Sequence, residues 1–106
     1  MRILFDQGTP VPLRKLLIGH GVSTAFERGW SELDNGELLA AAEASFDAFI
    51  TTDQSLRYQQ NLSGRRIGIL VLPTTSWPRI HEQASRIVEA LAMLKPGGYA
   101  EVTFER

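Results

Sequence analysis

Apolar residues in this chain fall into two patterns that alternate along it: short continuous runs, and runs spaced three or four positions apart. Arg2 to Asp6 reads RILFD, an apolar run of strand length closed by a carboxylate, and Gln7, Gly8, Thr9, Pro10 and Pro12 then end the extension. From Val11, the residues Leu13, Leu16 and Leu17 recur at helical spacing, with Arg14 and Lys15 opposite, until Gly19 and Gly21 stop them. Val22 to Glu27 reads as a short extended run. After a loop with Gly29 and Trp30, the caps Asp34 and Asn35 introduce a helix over ELLAAAEA. Phe46 to Thr52 has the β-branched and aromatic content of a buried strand and again ends on a carboxylate, Asp53. Ser55 to Leu62 is a polar turn or short helix, Ile67 to Leu72 a strongly apolar strand, and Pro73 to Pro78 a connecting loop. Ile80, Ala84, Ile87, Val88, Leu91 and Leu94 mark one face of the longest helix, which Lys95, Pro96, Gly97 and Gly98 close. Tyr99 to Phe104 can form a last edge strand.

This alternation predicts a parallel sheet covered on both faces, hence an α/β fold: a compact three-layer α/β/α sandwich, Rossmann-like, with a mainly parallel sheet. No repeat or linker divides the chain, so residues 1–106 read as one domain. Cysteine is absent, which excludes a disulfide framework and a thiolate zinc site and suits a reducing cytoplasm. Asp6 interrupts the only stretch that could serve as a signal peptide, so export is not expected. The longest apolar runs, Ile67 to Leu72 and Leu38 to Ala42, fall far short of the roughly 20 residues that span a bilayer. With a net charge of −1, contact with nucleic acid must come from a local basic patch.

In an open parallel sheet, ligands gather at the carboxyl ends of the strands. Asp6 and Asp53 close two strands, and Glu37 falls in the first turn of the helix that should begin at the same rim, so three acids can converge. Two carboxylates about 5 Å apart repel by roughly 3 kcal/mol at an effective dielectric near 20, which a hard divalent cation offsets. Oxygen-only ligands favour Mg²⁺ or Mn²⁺, and such ions serve phosphodiester hydrolysis. Each acid also has an ordinary explanation. Asp6 can turn the chain before Pro10; Asp34 and Glu37 have capping-box spacing; Asp53 can cap the segment around Leu56 or pair with Arg57.

The series MRILFDQGTP, SELDNGELLAAA, FITTDQSL and IGILVLP resembles the short PIN-like domains, including toxin-type ribonucleases of bacterial toxin–antitoxin pairs, over nearly the whole chain. The resemblance implies a PIN-like fold and Mg²⁺- or Mn²⁺-dependent cleavage of RNA, with Asp6, Glu37 and Asp53 as catalytic metal ligands. It also implies a homodimer and a small antitoxin partner. Many relatives carry a further acid where this chain has Ser55; Ser55 or a water would then complete the ligand shell.

Arg14, Arg28 and Arg57 are candidates for phosphate contacts, and Tyr58 for stacking on an unpaired base. Exposed Trp30, Trp77 or Tyr99 would suit a dimer surface. His20 is expected to satisfy a helix end, and His81 to lie exposed in the first turn of the long helix. Two rival readings remain. A PIN-like fold without Ser55's acidic counterpart can serve as an inactive binding or regulatory module. A phosphoacceptor receiver domain would use Asp6, a modified Asp53 and Thr74 or Thr75, but such domains usually carry paired strand-1 acids and a lysine after strand 5.

Overall fold

The computed structural model describes residues 1–105. Five strands form one sheet: β1 (Arg2–Phe5), β2 (Gly21–Thr24), β3 (Ala48–Thr51), β4 (Gly68–Val71) and β5 (Tyr99–Glu101). They run in the order β2-β1-β3-β4-β5, every neighbouring pair parallel. The three central strands explain their composition. β3 and β4 are buried at every position, so both faces of each strand must be apolar, and AFIT and GILV supply this.

The two faces have separate cores. Ile3, Phe5, Ile50 and Leu70 point to one side, where they meet Leu13 and Leu17 with Ile80, Ile87 and Leu91. Leu4, Phe49, Ile69 and Val71 point to the other, against Leu38, Leu39 and Ala42 with Leu56. The helices that provide these contacts are α1 (Asn35–Ala42), α2 (Leu56–Gln59), α3 (Trp77–Glu82) and α4 (Ala84–Met93), with a 3-10 segment at Val11–Leu16. This is the expected three-layer α/β/α sandwich, and its sheet is wholly parallel.

The steps from β3 to β4 and from β4 to β5 run in the same direction across the sheet. Their connections nevertheless lie on opposite faces, Leu56 and Ile67 on one and Ile80, Ile87 and Leu91 on the other. The two crossovers therefore have opposite hands, so one departs from the usual right-handed rule.

Several expected elements are altered. The segment after Pro10 is a 3-10 helix with a proline in its first turn, not an α-helix. The extended run expected from Val22 to Glu27 stops at Thr24, where a second capping box forms: Thr24 Oγ1 accepts from Glu27 N at 3.1 Å and Glu27 Oε1 from Thr24 N at 2.9 Å. The helix expected from Ile80 to Leu94 begins earlier, at Trp77, and is broken at Gln83 into α3 and α4. At the break, the Gln83 side chain donates to the Glu105 carbonyl at 3.2 Å. The last strand is only Tyr99–Glu101. No helix among the described residues is long and apolar enough to cross a membrane.

Candidate functional site

In this strand order, the connections leaving β1 and β3 diverge to opposite faces, the 3-10 segment to one and α2 to the other. The crevice at the carboxyl ends of β1 and β3 is thus the topological switch point, where parallel sheets of this order bind ligands. Asp6 follows β1 and Asp53 lies two residues beyond β3.

Asp6 is 6% exposed. Its Oδ1 accepts from Thr9 N at 3.1 Å and Thr9 Oγ1 at 2.6 Å, and its Oδ2 from Thr51 Oγ1 at 2.5 Å. The turn that brings Thr9 back runs through Gly8, where a Cβ would sit 2.6 Å from Thr52 Oγ1. Glycine is the residue that fits this approach.

Asp53 is half-buried. Its Oδ1 accepts from Ser55 N at 3.0 Å and Ser55 Oγ at 3.1 Å, an Asx-type turn, and its Oδ2 accepts from Asn35 Nδ2 at 3.0 Å. Asn35 is the first residue of α1, so this bond brings the helix start to the same rim. A carboxylate offers about four acceptor sites. Three are used on each acid, which leaves one on each Oδ2.

Glu37 does not join them. It completes the capping box of α1, Asp34 Oδ1 accepting from Glu37 N at 2.8 Å and Glu37 Oε1 from Asp34 N at 3.1 Å. Its side chain is exposed. Among the described residues, no three His, Cys, Asp or Glu side chains form a group able to hold a metal ion. The expected sharing of one cation by all three acids is therefore corrected: the helix-end role takes Glu37, and the rim holds a pair of aspartates. Ser55 spends its hydroxyl and amide on Asp53 itself.

Asp53 neither caps α2, whose N-cap is Ser55, nor pairs with Arg57. Arg57 lies 3.7 Å from Glu101 on β5 and stacks 4.7 Å above the ring of Tyr58, which is 74% exposed. Its hydrogen bond to the Tyr58 hydroxyl, and then the charge of Glu101, raise the Arg57 pKa. Beside them, burial and a 2.8 Å bond to Glu101 push the Tyr99 phenol up to about 12. Arg14 forms a two-pronged pair with Glu27 at 2.7 and 3.1 Å, which holds the Glu27 carboxyl below its ordinary pKa. Arg28 packs on Trp30 and on Phe46, which precedes β3 at the other end of the sheet. Of the four residues expected to contact RNA, Arg57 and Tyr58 sit just beyond Asp53 on the acid rim.

His20 Nδ1 lies 3.1 Å from the Met1 amino group and not at a helix end, whereas His81 is exposed as expected but sits in the last turn of α3, beside Trp77. Trp30, Trp77 and Tyr99, expected to be exposed, are half-buried, and the exposed rings are Phe26 and Tyr58. A cavity of about 420 Å³ lined by Arg2, Glu43, Ser45, Phe46, Asp47 and Arg66 opens at the amino ends of the strands, away from the acids.

The sequence reading passed over Thr9 and Thr51, 3% and 0% exposed. A threonine two residues before a strand-closing aspartate is the only sign of Thr51 in the sequence. Compared with known proteins, the chain matches no family model, no curated protein and no solved structure.

Proposed function

We propose that this chain is a PIN-like, metal-dependent endoribonuclease whose ion is held by two carboxylates, Asp6 and Asp53, with water in the remaining positions. The observation that carries the reading is the state of those two acids. They follow adjacent central strands at the switch point, hydrogen-bond donors hold both in place, and each keeps one open acceptor site. Among the described residues, no arginine, lysine or histidine lies within ion-pairing distance of either. An ion-pair partner would make them structural; without one, their combined charge favours a cation.

The fit is to Mg²⁺ or Mn²⁺, which bind through one or two carboxylates and otherwise keep water or take phosphate oxygens. Bound there, such an ion supplies a more acidic water and offsets charge on the phosphodiester. The chain's own contribution is positional. Thr9 and Thr51 orient Asp6, Asn35 and Ser55 orient Asp53, and Arg57 with Tyr58 offers a cation and an exposed ring for the RNA strand. The role of toxin, with a small antitoxin partner, a homodimer and a cytoplasmic site of action, belongs to the same proposal and rests on the PIN-like resemblance.

A second reading has its own support. The commitment of Glu37 to a helix cap and the presence of Ser55 fit a PIN-like module that binds without cleaving. The receiver reading gains from the flavodoxin-like strand order, but Val102 to Glu105 beyond β5 contain no lysine and Ser55 closes over Asp53.

The test is incubation of purified protein with end-labelled RNA in Mn²⁺ or in chelator. Cleavage that requires Mn²⁺ and disappears in Asp53→Asn supports the nuclease. Mn²⁺ binding without cleavage favours the module, and no Mn²⁺ binding overturns the metal site.

A further inference from the structure

We infer that Thr51 is a positioning residue that couples the two carboxylates: its hydroxyl links the Asp53 backbone to the Asp6 side chain in one directed hydrogen-bond chain. The inference rests on the reading that Asp6 and Asp53 form one site, and it concerns how that site is held at a fixed spacing.

A threonine hydroxyl has one proton to give and lone pairs to receive. Thr51 Oγ1 lies 2.5 Å from Asp6 Oδ2 and 3.0 Å from Asp53 N. The Asp53 amide can only donate, so the hydroxyl accepts there and its single proton goes to Asp6. The direction of the chain is fixed: Asp53 N–H to Thr51 O–H to Asp6. Successive bonds of this kind polarise one another, so the carboxylate at one end strengthens the grip on the amide at the other.

Burial limits competition from water for these bonds, because Thr51 is fully buried and Asp6 nearly so. The Asp53 amide also has no partner in the sheet beyond this hydroxyl, since β3 ends at Thr51 and the following backbone bond to that strand is Leu72 N to Thr51 O at 2.8 Å. The strand needs only a β-branched residue at this position, which valine would supply equally well. The hydroxyl is therefore there for the two aspartates. Thr9 provides the contrast. It donates to Asp6 at 2.6 Å, but its other short contact is the Ile50 carbonyl at 3.1 Å and it has none with Asp53.

The experiment is amide hydrogen exchange of ¹⁵N-labelled full-length protein without metal, in the wild type, Thr51→Val, Thr51→Ser, Asp6→Ala and Thr9→Val. Loss of one hydrogen bond corresponds to on the order of a tenfold change in local exchange. Exchange at the Asp53 amide is expected to rise about tenfold in Thr51→Val, which removes the acceptor, and about twofold in Asp6→Ala, which leaves the acceptor in place and removes only the group that polarises it. Thr51→Ser and Thr9→Val are expected to leave the Asp53 amide exchanging at the wild-type rate. The amides of Ile69 and Leu70 in β4 report global opening. An equal rise there in Thr51→Val, or an unchanged Asp53 amide in either Thr51→Val or Asp6→Ala, overturns the coupling.

A parallel Mn²⁺ titration, read by water proton relaxation, should show affinity lost about tenfold or more in Thr51→Val and restored in Thr51→Ser. Absence of Mn²⁺ binding in the wild type removes the metal reading alone, because the exchange experiment decides the coupling without metal. Wild-type Mn²⁺ binding with no exchange effect removes the coupling alone.

Discussion

Replacing Glu37 separates a helix cap from a metal ligand, because alanine and glutamine remove different things. In the structure, Glu37 Oε1 accepts from Asp34 N at 3.1 Å while Asp34 Oδ1 accepts from Glu37 N at 2.8 Å. Losing a capping interaction costs about 0.5–2 kcal/mol, and an acid in the first turn adds about 0.3–1 kcal/mol through the helix dipole. The helix concerned buries Leu38, Leu39 and Ala42 in the core, so loosening its start should register in global unfolding. Glu37→Ala is therefore expected to lower stability by about 1 kcal/mol, read as a shift in urea midpoint at constant slope. Glu37→Gln keeps the acceptor oxygen and loses only the charge, so its cost should be about 0.5 kcal/mol. Because the two bonds are reciprocal, Asp34→Ala and Glu37→Ala should cost less together than the sum of the two alone. Both Glu37 variants should leave Mn²⁺ affinity within about twofold, since the proposed ion uses Asp6 and Asp53. A tenfold loss of Mn²⁺ affinity in Glu37→Gln, with stability unchanged in Glu37→Ala, would refute this division of roles and restore a three-acid site.

On the nuclease reading, Asp53→Asn should abolish Mn²⁺-dependent cleavage of end-labelled RNA while lowering the calorimetric melting temperature by only a few degrees, because the amide oxygen can still accept from Ser55. Gly97→Ala should cost more than about 1 kcal/mol by urea denaturation, since Gly97 has φ of 72° and an added Cβ would lie 2.6 Å from the Arg65 carbonyl oxygen. The Tyr99 phenol, raised to about 12, keeps its proton more firmly in the folded than in the unfolded chain. Its contribution to stability is present below the ordinary tyrosine pKa near 10 and is lost as pH rises through about 12. Tyr99→Phe should flatten the fall in stability over that window, and an unchanged pH profile would count against the assignment.

The layers of the fold were legible because burial on both faces leaves a plain trace. β3 and β4 are apolar at every position, and only a central parallel strand requires that. Asp6 and Asp53 were legible for a related reason, since a carboxylate at the end of such a run has to lie at the rim. The break at Gln83 was not legible. Ile80, Ile87 and Leu91 keep helical spacing on both sides of it and all reach the same core, so the apolar pattern reads straight through. Residues Ala25 to Glu27 were misread as extended because Thr24 and Glu27 form a capping box followed by no apolar helix, only a turn closed by Trp30 N to Ala25 O at 2.8 Å. The failure at Glu37 is more instructive. The D-x-x-E spacing and a position near the rim predict the same residue type, and only coordinates show which demand holds the side chain.

The placement of Asp6 and Asp53 at one rim bears on why so much hydrogen bonding is spent on so few atoms. A buried carboxylate with no ion-pair partner is costly unless donors surround it. Here Thr9, Thr51, Asn35 and Ser55 together provide six donor contacts to the two acids. A helix cap or a simple turn could be made with one aspartate at the surface, as Asp34 demonstrates on the same rim. Two aspartates at the switch point, each held by donors from two residues and each with one acceptor position that no protein donor takes, are an arrangement that a single cap or turn does not require. On the proposed reading a divalent cation would take those positions and offset the carboxylate charge together, which is the physical argument for testing Mn²⁺ at this rim.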